Sequence, residues 1–238
     1  MRSGRRLAGF LLLAALSACR TPAPAPMAGE SPAPASEAPA VETARGATRY
    51  TVDAAASRLL IYVWRGGAAA RLGHNHVLSA PALQGSVSLQ GDDVATAQFE
   101  LQTRLDALRI DDPDLRAATG GSFSGVRSEA DISGTQRNLL GPRVLDAAQH
   151  PELRVRSLAV AGEWPMLVAR VAITLHGVTR EREVLLQVER APARLRARGE
   201  FVVRQSEFGV TPLSILGGAI AVQDPVAVRF DLVARQAP

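Results

Sequence analysis

The chain has 238 residues, 47% of them hydrophobic, with 15 prolines and 20 glycines, which is ample apolar material for a core and too many turn-formers for a helix bundle. All 27 basic residues are arginine, and the formal charge is +4. Removing residues 1–18 takes away Arg2, Arg5 and Arg6 and leaves 24 basic against 23 acidic groups, a net +1, which gives no general electrostatic case for nucleic acid.

The first segment reads as an export signal. "MRSGRR" is a basic start and "LAGFLLLAAL" is an apolar stretch too short to span a bilayer comfortably. "LSAC", Leu16 to Cys19, resembles the bacterial lipobox, in which the signal is cut before the cysteine and that cysteine is acylated. The expectation is a lipoprotein signal peptide over 1–18 and a lipidated Cys19, with an ordinary secretory signal as the alternative. At roughly 0.8 kcal/mol per buried methylene, several acyl chains make a durable anchor. By the same resemblance, Arg20 stands where an aspartate is associated with inner-membrane retention, so the expected place is the periplasm, anchored to the outer membrane. Cys19 is the only cysteine, which excludes an intrachain disulfide.

Residues 20–48 are rich in proline, alanine and serine and hold few large apolar groups, the composition of an extended linker. It would span on the order of 90 Å as polyproline helix and about 30 Å as flexible coil. The folded domain is expected over residues 49–238.

From Arg49 onward alternation dominates. In "RLRARGEFVVR", Leu195, Ala197, Phe201 and Val203 face away from Arg194, Arg196, Arg198 and Glu200. The same period places Phe99, Leu101 and Leu105 on one face, as it does Val184, Leu186 and Val188, and Val226, Val228, Phe230 and Leu232. Six to eight half-buried antiparallel strands point to a mainly β fold, a sandwich or an up-and-down barrel. Residues 127–151 break the period: Ile132, Leu139, Leu140, Val144 and Ala148 recur as on a helix face. Pro142 predicts two short helical pieces broken at Gly141 and Pro142. The stretch before it, "DDPDLRAATGGSFSGV", reads as a loop.

Chemistry-bearing residues are sparse. His74 and His76 in "RLGHNHVLSA" share a face with Leu78 if extended, but tetrahedral metal needs a third ligand. Asp146, His150 or Glu129 could supply one only if the helical excursion folds over that end. The other reading is two hydrogen-bonded histidines near a barrel mouth. His176 falls outward or in a turn, and His150 ends the helical piece before Pro151. An acylated Cys19 is no nucleophile, "GGSFSGV" is not Gly-x-Ser-x-Gly, and no phosphate loop is present. Asp111, Asp112 and Asp114 lack the ordered oxygen ligands of a calcium loop and read as a solvated turn.

Four phrases, "RYTVDAAASRLLIYVWRGG", "VLDAAQHPELRVRS", "VAITLHGVTREREVLLQV" and "SEFGVTPLSILGGAIAVQDPVAVRFDLVA", follow one another as they do in the YceI-like family, which the chain resembles over about residues 49–236. The resemblance implies an antiparallel lipocalin-like β-barrel with a short helical excursion. It also implies a non-catalytic protein without a cofactor, holding an isoprenoid or acyl-chain lipid inside. The candidate ligand contacts are then the inward Leu59, Ile61, Phe99, Leu101, Ile173, Leu186 and Phe201, with His74 and His76 near a head group. Small inward residues (Ala97, Ala197, Gly199) fit either a channel or the taper of a filled barrel. A metal-binding protein built on His74 and His76, and a filled barrel serving as an envelope interaction module, are the alternatives. Pairing of two barrels as a homodimer is left open.

Overall fold

Tight turns set the strand register. Between β8 (Met166–Leu175) and β9 (Val178–Ala191) the loop is only His176 and Gly177, with φ of 52° and 72°. Two successive residues in the left-handed region suit the right-handed twist of antiparallel strands. His176 therefore lies in a turn, one of the two placements its position predicts.

The computed structural model describes residues 46–236, which contain twelve strands and two α-helices. Eight strands pair antiparallel around a ring: β1 (Thr48–Val52), β4 (Gln84–Gln90), β5 (Asp93–Arg104), β7 (Glu152–Glu163), β8, β9, β10 (Arg194–Arg204) and β12 (Ile220–Gln236). The ring closes where β12 returns to β1, with Tyr50 opposite Gln236 and Val52 opposite Ala234. Upstream on the same edge of β12 lies β2 (Arg58–Gly66), which leads outward through β3 (His76–Ser79) to β6 (Arg109–Ile110). A short β11 (Ser214–Ile215) pairs with the start of β12. This is the antiparallel barrel with a helical excursion expected above.

The alternation holds. Leu167, Ala169, Val171 and Ile173 of β8 are buried with Val184 and Val188 of β9 and Phe230 of β12. On the outer face arginines meet carboxylates: Arg196 with Asp231, Arg198 with Glu189, and Arg229 with Glu200. Exposed pairs of this kind contribute about 0–1 kcal/mol each, but they neutralise an arginine-rich wall.

The helical region differs from expectation in two ways. The segment read as a loop contains α1 (Pro113–Thr119). Asp112 caps it, accepting from the Asp114 and Leu115 amides at 3.1 and 3.2 Å, and Pro113 fits the first position, where no amide donor is needed. Helix α2 (Glu129–Leu140) starts at a capping box of Ser128 and Asp131 and stops before Gly141. The second predicted piece is not a helix. It is a run of turns in which the Asp146 amide reaches the Gly141 carbonyl at 2.9 Å and Asp146 takes a left-handed φ of 42°, which stops helical propagation.

Asp111, read as part of a solvated turn, is 1% exposed. Its carboxylate accepts from the Arg116 guanidinium at 2.5 Å, the His76 Nδ1 at 2.6 Å and the Val77 amide at 3.0 Å. Arg116, 2% exposed, also donates to the Asn75 and Gly125 carbonyls at 2.9 and 2.8 Å. One buried ion pair thus ties α1 and the following loop to the edge of β3. Burial alone would raise the Asp111 carboxyl, but the bonds from His76, Val77 and Arg116 outweigh it and hold the group below the ordinary carboxylate range.

Two outcomes are expected. Asp111→Asn leaves Arg116 buried and unpaired and costs about 3–5 kcal/mol in urea denaturation at pH 7. The carboxylate's stabilisation is complete above its unfolded value near 4 and is lost as pH falls through its lower folded value. The gap between wild type and Asp111→Asn should therefore narrow from pH 7 to pH 3, and a gap independent of pH would contradict the assignment. Separately, a Cβ on Gly199 would lie 2.4 Å from Phe230 Cζ and 2.5 Å from the Leu185 carbonyl oxygen. Gly199→Ala should cost about 1–3 kcal/mol by overpacking, read as a lowered denaturation midpoint.

Candidate functional site

The inward rows of the barrel do not meet at its axis. They leave a cavity of about 270 Å³, so the barrel is hollow. All seven inward apolar candidates, Leu59, Ile61, Phe99, Leu101, Ile173, Leu186 and Phe201, line it. Ala97 and Ala197 line it as well, their short side chains leaving room that larger residues would occupy. Gly199 does not contribute space in this way, because the Phe230 ring fills its place.

The lining is almost wholly aliphatic and aromatic. Among the described residues its polar members are Gln102, Thr103 and Gln205, and none that lines it is charged. The two amides are already engaged: Gln102 donates to the Gln84 side chain at 3.3 Å, and Gln205 to the Gln223 carbonyl at 2.9 Å. A cavity of this lining stays dry and takes up apolar groups.

Different groups stand at its two ends. Beside the β4–β5, β7–β8 and β9–β10 turns, the Trp164 indole lines the cavity and donates to the Asp92 carbonyl at 3.1 Å. Arg190 stacks over that indole, its Cζ 4.7 Å from the ring centroid, and pairs with Asp92. At the opposite end lie Leu139 of α2, Leu145 of the turns after it, and Phe208, which is 1% exposed. There His150 and His176 stack edge to face with ring centroids 5.0 Å apart, and His176 Nδ1 donates to the Phe208 carbonyl at 3.3 Å.

His74 and His76 depart from expectation. Neither lines the cavity. Strand β3 begins only at His76, so the two are not successive same-face residues of one strand. His74 is exposed, and desolvation together with the Arg127 guanidinium holds its imidazole below the ordinary histidine value. His76 turns its Nδ1 to Asp111. Between them Asn75, 4% exposed, is the structural residue: its carbonyl oxygen Oδ1 accepts from the Arg65 amide at 3.0 Å, and its Nδ2 donates to Ser122 Oγ at 2.7 Å. Among the described residues no three histidine, cysteine, aspartate or glutamate side chains gather as a metal site requires, so Asp146, His150 and Glu129 do not complete one.

A second cleft of about 620 Å³ lies on the outer wall, between β2 and the α1 loop, where Tyr62, Trp64 and Phe123 meet Arg58, Arg229 and Glu200. It is open and mixed in polarity, unlike the lumen. The sequence reading missed Trp164, Phe208 and Thr103. Thr103 was legible, since the period of β5 puts it in the inward row with Phe99 and Leu101. Trp164 was not, because it sits in a turn outside any alternation.

The sequence matches the YceI-like domain model over residues 50–234. No curated protein matches it significantly. Among solved structures, it is similar to BcnA of Burkholderia cenocepacia, with a TM-score of 0.58 and 16% identity over 76% of this chain and 98% of that one. A polyisoprenoid-binding domain from Saccharophagus degradans, implicated in plant cell wall breakdown, gives a TM-score of 0.53 and 13% identity over 79% and 98%. The YceI protein of Campylobacter jejuni gives 0.50 and 7% over 68% and 85%. At these identities the structures speak to the fold alone, whereas the domain match spans the whole barrel: the chain belongs to the YceI-like family.

Proposed function

We propose that the protein binds an isoprenoid or other long-chain amphiphile in the barrel lumen and carries or buffers it without chemistry. The observation that supports this reading is the cavity of about 270 Å³ with its apolar lining. Ligand binding by the similar Saccharophagus domain, described as polyisoprenoid-binding, is consistent with it. At about 30 Å³ for a water-sized group, the lumen takes on the order of nine chain carbons. At roughly 0.8 kcal/mol per methylene, their burial nominally supplies about 7 kcal/mol, part of which offsets the ordering of a floppy chain. A longer chain keeps its remainder at one end of the barrel. Chains differing by one methylene are poorly discriminated on this scale.

The lipobox-like "LSAC" lies outside the described residues and motivates the rest of the proposal. Acylated Cys19 tethers the chain to the outer membrane, and the Pro/Ala-rich segment lets the barrel stand off in the periplasm. The ligand is then within reach of the membrane surface from which it is drawn.

Native mass spectrometry of the full chain, purified from bacterial membranes without added lipid, tests this directly. The expected result is a stoichiometric long-chain species, released by organic solvent and retained by a His74→Ala, His76→Ala double variant. A zinc- or copper-sized mass that disappears with His74 would overturn the lipid reading in favour of metal. Ala197→Leu places about three more carbons in a lumen that takes about nine, so it should weaken long-chain capture by on the order of tenfold or more, read as lower occupancy in the same experiment.

A further inference from the structure

Two buried side-chain polar atoms have no hydrogen-bond partner among the described residues, and one of them, Thr103 Oγ1, belongs to a residue that lines the lumen. Thr103 is 3% exposed and stands in the inward row of β5, opposite Leu153 of β7. A sealed hydroxyl without a partner is unfavourable, and valine would fill the same volume without that penalty. The neighbouring inward positions are apolar, so the period of the strand does not call for an oxygen here.

The other polar groups of the lining do not offer an alternative anchor. Gln205 spends both amide donors on the Gln223 and Asp224 carbonyls, and Gln102 directs its amide to the Gln84 side chain on the exposed side of the wall. Among the described residues no arginine or histidine lines the cavity, so a phosphate or carboxylate brought inside would lie unpaired in an apolar medium. A hydroxyl both donates and accepts, which suits an alcohol, amide, ester or ketone oxygen and supplies no charge.

We propose that Thr103 is the polar contact of the lumen and that it selects chains carrying an uncharged oxygen over both bare hydrocarbon and anionic amphiphiles. This rests on the lumen being the lipid site. The discriminating group is then inside the barrel and neutral.

The test is a four-way cycle on the full chain. Geraniol and its hydrocarbon counterpart 2,6-dimethyl-2,6-octadiene, sized for the lumen, are titrated into wild type and Thr103→Val, with geranyl phosphate as the charged probe. Thr103→Val should weaken geraniol about two- to tenfold and leave the hydrocarbon unchanged or tighter. Thr103→Ser, which keeps the hydroxyl, should restore the preference for geraniol. Thr103→Val should also melt no lower than wild type, which shows that the variant folds. An equal effect on both neutral probes, or no effect on either, would overturn the role of Thr103 while leaving the lumen reading intact. Geranyl phosphate binding as tightly as geraniol, with its affinity lost in Thr103→Val, would overturn the preference for an uncharged group. If neither neutral probe binds wild type, the lumen reading itself fails and this inference falls with it.

Discussion

The pairing of β12 along both of its edges is the constraint on which the structure depends. One edge runs the length of β10, from Arg194 opposite Arg235 to Arg204 opposite Pro225. The other serves two strands in turn, β2 from Ala221 to Asp231 and β1 from Ala234 to Gln236. Closure through one long strand removes the free edges of the ring and gives every barrel strand an inside and an outside. It also explains where the irregularity sits. Pro225 has no amide to donate, and the register with β2 shifts between Val222 and Val226, at the position where a missing donor is tolerated.

Closure turns a two-residue sequence period into a volume. Each inward row contributes an apolar wall, and whether the walls meet depends on a few short side chains. Ala97 and Ala197 leave space, whereas Gly199 gives its space to the Phe230 ring. A strand pattern carries the first fact and not the second. That is why the inward residues were readable from alternation while the choice between a hollow and a filled barrel was not. It required knowing which side chains cross the axis.

The α1 region shows the opposite limit. "IDDPD" has the composition of a solvated turn, and two of its aspartates behave locally: Asp112 caps α1 and Asp114 lies in its first turn. Asp111 differs only through partners far along the chain, His76 and Val77, and through Arg116 one helical turn on. Local composition cannot separate a buried carboxylate from an exposed one when the distinction is made by a strand 34 residues away. The same tertiary partner redirects His76. Its geometry in "GHNH" suggested a ligand for metal or lipid, but its Nδ1 is committed to an aspartate that the sequence reading placed in solvent.

The two sources of polarity in this barrel act at different depths, and that separation bears on which lipids it can hold. The charged groups are spent outside, where Arg196, Arg198 and Arg229 meet carboxylates. At the hairpin end Arg190 is likewise engaged, stacked on Trp164 and paired with Asp92. Inside, the walls carry no charge, and a charged head drawn past Trp164 would lose its hydration without gaining a counter-ion. The lumen therefore discriminates mainly by what it cannot solvate. On the function proposed above, chain length is read weakly, at the scale of single methylenes, while charge is read strongly, and Thr103 admits an uncharged oxygen.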